Sequence, residues 1–229
     1  MKKIGIIGGL GPEATIDYYR NIIESYRKKR NENFPEIIIY SLNMKDFFDI
    51  LKNKERDEII NWLSKAVKSL QNAGADFAII ASNTPHFVFD EVKALSPIPM
   101  LSIVEETCKK VENLGLKKLG LLGTKFTMSS DFYQKVFTKH NISIVVPNEQ
   151  EQKYIQKKLW TEIIFNKIVE ETRQELLKIV KRMIDSASIQ GVILGCTELP
   201  LILTKDEFGI PFLNTTRIHV ESAVSYCLR

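Results

Sequence analysis

The sequence predicts an α/β protein built from two similar parallel-sheet domains related by pseudo-twofold symmetry. Three observations lead there. Short apolar runs alternate with stretches of helical period; the runs carry apolar residues at consecutive rather than alternate positions; and the pattern of the first half recurs in the second. The first strand is expected over Lys3–Gly8, after which Pro12 stands at a first helical position with Glu13 beside it. That helix closes on Arg27, Lys28, Lys29 and Arg30, cations that complement the negative end of a helix dipole. Glu36–Leu42 reads as the second strand. Ile59, Leu63, Ala66, Val67 and Leu70 then recur at helical spacing, and Ala73-Gly74 ends that helix. Further strands are expected over Phe77–Ala81, Ile98–Leu101, Leu119–Leu122, Ile142–Val146, Val192–Leu194 and Pro211–Leu213, with helices between them. The clearest of these helices places Leu176, Val180, Met183 and Ile184 on one face.

Composition narrows the class. The chain has 229 residues, 44 % hydrophobic and 26 % charged, the balance of a globular protein with a core of ordinary size. With 32 basic and 28 acidic side chains the net charge is +4, too small for an electrostatic nucleic-acid footprint. No apolar run approaches the ~20 residues of a membrane span. The start resembles a signal peptide in its two lysines and apolar run, but Gly5, Gly8 and Gly9 interrupt it and Pro12-Glu13 follow, so a buried strand is the reading. Cys108, Cys196 and Cys227 make no disulfide framework and show no metal-ligand spacing, and His86, His140 and His219 form no sequence cluster. A cytoplasmic location, reduced thiols and no bound metal are the expectations.

The internal repeat sets the functional question. Gly5-Ile-Ile-Gly8 matches Gly120-Leu-Leu-Gly123, Ala75–Thr84 matches Ile189–Thr197, and Ile98–Ser102 matches Ile210–Asn214, in the same order and at a nearly constant offset. A period this long implies a duplicated domain rather than a solenoid. Domains are expected over residues 1–97 with 212–229, and over 98–211, with the carboxyl ends of the two sheets facing a shared cleft. The repeat makes Ser82 and Cys196 equivalent, each just beyond a buried strand. Paired in this way, they suit a reaction that needs one group on each face of a planar carbon. The neighbouring Asn83, Thr84 and Thr197 offer hydroxyl, amide and backbone N–H groups for a carboxylate. A buried structural cysteine is the alternative for Cys196. Its place at a strand-to-helix junction favours function, and a helix N-terminus there would favour the thiolate.

Four segments, Gly8-Gly9-Leu10-Gly11-Pro12-Glu13-Ala14-Thr15, Ser82-Asn83-Thr84-Pro85-His86, Gly123-Thr124-Lys125-Phe126-Thr127-Met128 and Gly195-Cys196-Thr197-Glu198, resemble the aspartate/glutamate racemase family, in order and over essentially the whole chain. The resemblance implies a cofactor-independent isomerase, a homodimer, and two cysteines acting as opposed acid and base on the substrate α-carbon. Cys196 matches the second cysteine; Ser82 stands where the first would be. Serine is a far weaker acid than a thiol and needs a partner base, so activity is expected to be reduced or one-directional. Thr124 and Thr127 become ligand contacts by the same resemblance, with helix capping as the alternative. The distal carboxylate of a dicarboxylic amino acid needs a cation, for which Lys45, Lys125 and Lys167 are candidates. The pattern Gly9-x-Gly11-x-x-Ala14 formally fits a dinucleotide loop, but Pro12 removes one N–H from the turn and no acidic residue follows the second strand at Leu42-Asn43. Gly8 and its neighbours are read instead as letting backbone approach a small substrate. His86 is read as a hydrogen-bonded structural histidine, and Glu13 and Glu198 as helix-start acids. The leading function is an amino-acid racemase acting on aspartate or glutamate. The alternative is a carboxylate-binding protein of the same fold with little or no racemase activity.

Overall fold

The computed structural model describes residues 1–30, 33–53 and 55–229. In chain order the elements are β1 (Ile4–Gly8), α1 (Pro12–Lys29), β2 (Ile37–Ser41), α2 (Met44–Lys52), α3 (Arg56–Asn72), β3 (Phe77–Ile80), α4 (Phe89–Leu95), β4 (Met100–Leu101) and α5 (Ile103–Asn113). They continue with β5 (Lys118–Gly123), α6 (Lys125–Ser129), α7 (Phe132–Thr138), β6 (Ser143–Val145), α8 (Glu149–Thr161), α9 (Glu170–Ala187), β7 (Gly191–Gly195), α10 (Leu199–Ile202), β8 (Phe212–Asn214) and α11 (Thr215–Cys227). Short 3₁₀ turns lie at Thr84–Val88 and Ile163–Phe165. No helix among the described residues is long and apolar enough to cross a membrane.

Two four-stranded parallel sheets form, in the orders β2-β1-β3-β4 and β6-β5-β7-β8. The orders are the same once the duplication is applied: the repeated segments fall in β1 and β5, β3 and β7, and β4 and β8. The chain divides into two compact units, Met1–Glu106 with Thr216–Arg229, and Thr107–Thr215. Helix α5 begins in the first and continues into the second, and nearly all of α11, which follows β8, belongs to the first.

In the first unit, alternation along β1 separates two apolar layers. Ile4 and Ile6 face α1 and α11, packing with Tyr18, Ile22, Tyr26, Val220 and Val224. Ile7, on the other face, packs with Phe47, Leu63, Val67 and Leu70 from α2 and α3. The buried positions of α3 are Ile59, Leu63, Ala66, Val67 and Leu70, the stripe read from the sequence, and Ala73 caps the helix before Gly74 at φ 95°. Helix α1 starts on Pro12 and carries Arg27, Lys28 and Lys29 in its last turn. In the second unit Leu122, Val192 and Leu194 pack with Ile155, Leu159, Leu176, Val180 and Met183 of α8 and α9. The expectation that each strand is covered on both sides fails for β2. It is an edge strand, and Ile39, Tyr40 and Ser41 are exposed despite their apolar run.

Candidate active site

Strand order fixes where each unit can bind a ligand. In the order β2-β1-β3-β4 the connection from β1 leads to one side and the connection from β2 returns to the other. The crevice at the carboxyl ends of β1 and β3 is therefore the switch point; β5 and β7 make the equivalent one.

In the first unit Ile7 pairs with Ile80, and the Ala81 N–H donates to the Ile7 carbonyl at 2.9 Å. Gly8-Gly9 and Ala81-Ser82 are thus the segments that leave the sheet together. Thr15, on the first turn of α1, braces the former: its Oγ1 accepts from the Gly9 N–H at 2.8 Å and donates to the Gly11 carbonyl at 3.1 Å. A Cβ on Gly8 would meet the Thr15 methyl at 2.4 Å, and one on Gly9, at φ 80°, would meet the Leu42 carbonyl oxygen at 2.1 Å. The space a side chain would need at these two glycines is filled by the chain itself, so packing alone calls for glycine at both. Ser82, Asn83 and Thr84 are all buried as the chain turns into the 3₁₀ segment.

Behind Ser82 lies a buried histidine network. His86 Nδ1 bonds the Ser82 carbonyl at 2.9 Å, and its Nε2 accepts from the Ile103 N–H at 3.2 Å, so the Nδ1 carries the proton. His219 Nε2 bonds the Leu101 carbonyl at 3.1 Å, which leaves Nδ1 to accept from the Tyr18 hydroxyl at 3.0 Å. The rings meet edge-on, 6.2 Å between centroids. Burial holds both neutral: it pulls His86 down to about 3, with the neighbouring His219 acting in the same direction, and His219 down to about 4. His86 is structural, as expected.

In the second unit the paired Gly123 and Gly195 end β5 and β7 in register, and a Cβ on Gly123 would lie 2.9 Å from the Gly195 carbonyl oxygen. Thr124 and Cys196 follow directly. Thr124 caps α6, its Oγ1 accepting from the Thr127 N–H at 3.2 Å and lying 3.0 Å from Thr127 Oγ1. Thr127 is fully buried, its methyl near the two strand-end glycines as that of Thr15 is near Gly8. Cys196 is partly buried, and its thiol donates to Glu198 Oε2 at 2.9 Å; the Thr197 hydroxyl donates to the same oxygen at 2.8 Å. Although some of the residue's surface stays open, the protein packed around the sulfur makes desolvation the largest influence on it. That burial, then the Glu198 carboxylate, raise the thiol well above its ordinary range.

This reverses the expectation of a thiolate favoured by a helix N-terminus. The helix after Cys196 is the four-residue α10, and a carboxylate faces the sulfur. Nor does Glu198 act through its side chain as a cap: its carboxylate serves Cys196 and Thr197 instead. Thr15 and the Cys196–Glu198 contact escaped the sequence reading. Their signals were a threonine one turn after Gly11 and a carboxylate two residues beyond the cysteine.

The structure gathers Gly8, Ser82, Asn83 and Thr84 at the carboxyl edge of the first sheet, and Thr124, Thr127, Cys196 and Thr197 at that of the second. The lysines lie otherwise. Lys45 pairs with Asp49 at 2.6 Å on the exposed face of α2. The exposed Lys125 opens α6, its N–H donating to Gln156. Lys167 is exposed in the loop before α9, where its N–H donates to the Glu162 carbonyl and its charge helps hold the Glu162 carboxyl low, after Lys158 and Thr172.

Doubled four-stranded parallel sheets with flanking helices define a two-unit α/β class of protein. The sequence profile of the Asp/Glu/Hydantoin racemase family matches residues 7–223, and the chain belongs to that family. It is 28 % identical to the broad specificity amino-acid racemase RacX of Bacillus subtilis, over 97 % of this chain and 96 % of that one. It also resembles the solved structure of an aspartate racemase homologue from Pyrococcus horikoshii, with 36 % identity, full coverage of both chains and a TM-score of 0.85. The Picrophilus torridus aspartate racemase, 22 % identical over 99 % of this chain and 94 % of that one, shares the fold at a TM-score of 0.81.

Proposed function

We propose that this protein racemises acidic amino acids, aspartate or glutamate, by moving a proton at the α-carbon without an organic cofactor. The observation that carries the reading is the equivalence of Ser82 and Cys196, each within two residues of the end of the third strand of its own unit, at the switch point of a duplicated fold. Family membership supports racemisation as the reaction class, and a broad-specificity relative supports an amino-acid substrate. Cys196 transfers a proton on one face of the α-carbon. Glu198, already hydrogen-bonded to the sulfur, takes the thiol proton when Cys196 must act as base and returns it when Cys196 must act as acid. Ser82 serves the other face, and its weak acidity makes the two directions unequal. Asn83, Thr84 and Thr197 hold the α-carboxylate. The cation for the distal carboxylate is Lys45 or Lys167, brought in by side-chain rotation. The carbanion-like state must be met by preorganised donors in a site that excludes water.

Exchange of the α-hydrogen of aspartate and glutamate in heavy water tests this, with wild type beside Cys196→Ala. Wild type should incorporate deuterium, and Cys196→Ala should lose about 10²–10⁴-fold in rate. Saturable binding without exchange in wild type, or unchanged exchange in the variant, would sink the proposal.

A further inference from the structure

Away from the candidate site, the fold assembles three side chains that the sequence spacing does not connect. Cys108 and Glu112 lie one turn apart on α5 and so share a face. His140 sits in the turn between α7 and β6. One donor atom from each of the three lies within 4.8 Å of the other two, and His140 Nδ1 is 2.8 Å from Glu112 Oε1. The cysteine is buried while the carboxylate and imidazole are each about 40 % exposed (39 % and 40 %), giving a sulfur floor and a nitrogen–oxygen rim open to water.

We infer that Cys108, Glu112 and His140 form a binding site for a borderline divalent transition-metal ion of the zinc type. The Glu112–His140 pair alone would be an ordinary exposed ion pair, worth little. What sets it apart is a thiol buried within reach of both partners, making a mixed S, N, O donor set. Calcium and magnesium want only oxygen donors, whereas thiolate with imidazole suits zinc. Zinc–nitrogen and zinc–oxygen distances of about 2.0 Å and a zinc–sulfur distance of about 2.3 Å bring donors to within roughly 4 Å of one another. The exposed Glu112 and His140 side chains can close that gap by rotation. On binding, the Cys108 S–H bond breaks, its proton leaves to solvent, and the sulfur–metal bond forms; thiolate and carboxylate then offset the 2+ charge. A water takes the fourth position.

The site does not belong to the proposed reaction. Helix α5 leads into the start of β5, and His140 precedes the start of β6, so the cluster lies toward the amino edge of the second sheet. Thr124 and Cys196 follow the carboxyl ends of β5 and β7, the opposite edge of the same parallel sheet. Bound metal clips α5 to the α7–β6 turn and stabilises the second unit by mass action.

Cobalt(II) titration of metal-stripped full-length protein tests the inference, because a cobalt–thiolate bond gives a charge-transfer band in the near ultraviolet. One equivalent should bind per chain, with the band, and zinc should displace it. Cys108→Ser should abolish the band and Cys196→Ser should leave it. Glu112→Gln and His140→Ala, at the exposed rim where folding is least at risk, should each weaken cobalt binding by at least about tenfold. Zinc should also raise the melting temperature of wild type but not of His140→Ala. No band in wild type, a band surviving in Cys108→Ser, or a band lost in Cys196→Ser would overturn it.

Discussion

The Cys196 thiol hydrogen-bonds the Glu198 carboxylate at 2.9 Å, and Thr197 donates to the same oxygen at 2.8 Å. A carboxylate so placed disfavours the thiolate and at the same time offers the thiol proton somewhere to go. Both effects can be measured. Removing the charge should lower the thiol pKa, since burial is then the main influence left raising it. In Glu198→Gln, alkylation of Cys196 by iodoacetamide near neutral pH should quicken, by about tenfold for each unit the pKa falls. Cys196→Ser gives the background from Cys108 and Cys227, which are both buried. An unchanged or slower rate would show that the carboxylate does not control the thiol. For wild type, kcat/KM in the direction that uses Cys196 as base should hold level through neutral pH, because Glu198 takes the thiol proton within the pair; a rate that climbs only as the raised thiol ionises would argue against that relay.

Ser82→Cys tests the asymmetry between the two halves. A thiol at that position supplies an acid–base group with a pKa far nearer working pH than that of a hydroxyl. Racemisation should speed up by less than the roughly 10²–10⁴-fold a fully positioned group provides, because the buried surroundings suit a hydroxyl. Initial rates from each enantiomer should become more alike. A folded, ligand-binding variant with no gain in either direction would argue against a proton-transfer role for this position.

The buried histidines make stability fall with acid. His86 and His219 have folded-state pKa values of about 3 and about 4, below the ordinary value of 6.5, so between those limits the unfolded chain binds more protons than the folded one. Stability is therefore full above about pH 6.5 and declines below it, each histidine removing up to about 1.4 kcal/mol per pH unit. Denaturant unfolding at pH 7, 5.5 and 4.5 should show this decline. His219→Gln should be less stable at pH 7 yet shallower in its pH dependence. Parallel curves for variant and wild type would contradict the assignment.

Two glycines at positive φ should respond very differently to alanine. At Gly9 a Cβ would lie 2.1 Å from the Leu42 carbonyl oxygen, whereas at Gly74, φ 95°, nothing lies within 4 Å. Gly74→Ala bears only the backbone cost, about 1 kcal/mol. Gly9→Ala must also displace the chain after β2, and a loss above about 3 kcal/mol or failure to fold is expected by thermal unfolding. Equal losses would mean that the loop after β1 yields more easily than its packing suggests.

Much of the architecture could be read in advance. The stripe of α3 and the apolar runs of β1, β3, β5 and β7 are local patterns, and burial imposes them directly on the sequence. The exposure of Ile39 and Tyr40 could not be read, because edge or centre is decided by strand order and not by the strand's own residues. In the site, Ser82 and Cys196 were legible through the repeat. The direction of the Cys196 pKa shift was not, since it depends on how deeply the sulfur is packed and which way Glu198 turns.

The sequence by itself determined the α/β class, the duplication, the strands and the family, because each is written in spacing, period or a short motif. Tertiary structure alone decided which distant groups meet: His86 with Ser82 and Ile103, Tyr18 with His219 across 201 residues, and His140 with Glu112 and Cys108. Such contacts arise when elements far apart in the chain pack on the same sheet. Their partners are fixed by the crossing of elements and by the burial of polar atoms that must find a bond, quantities that no stretch of chain carries alone.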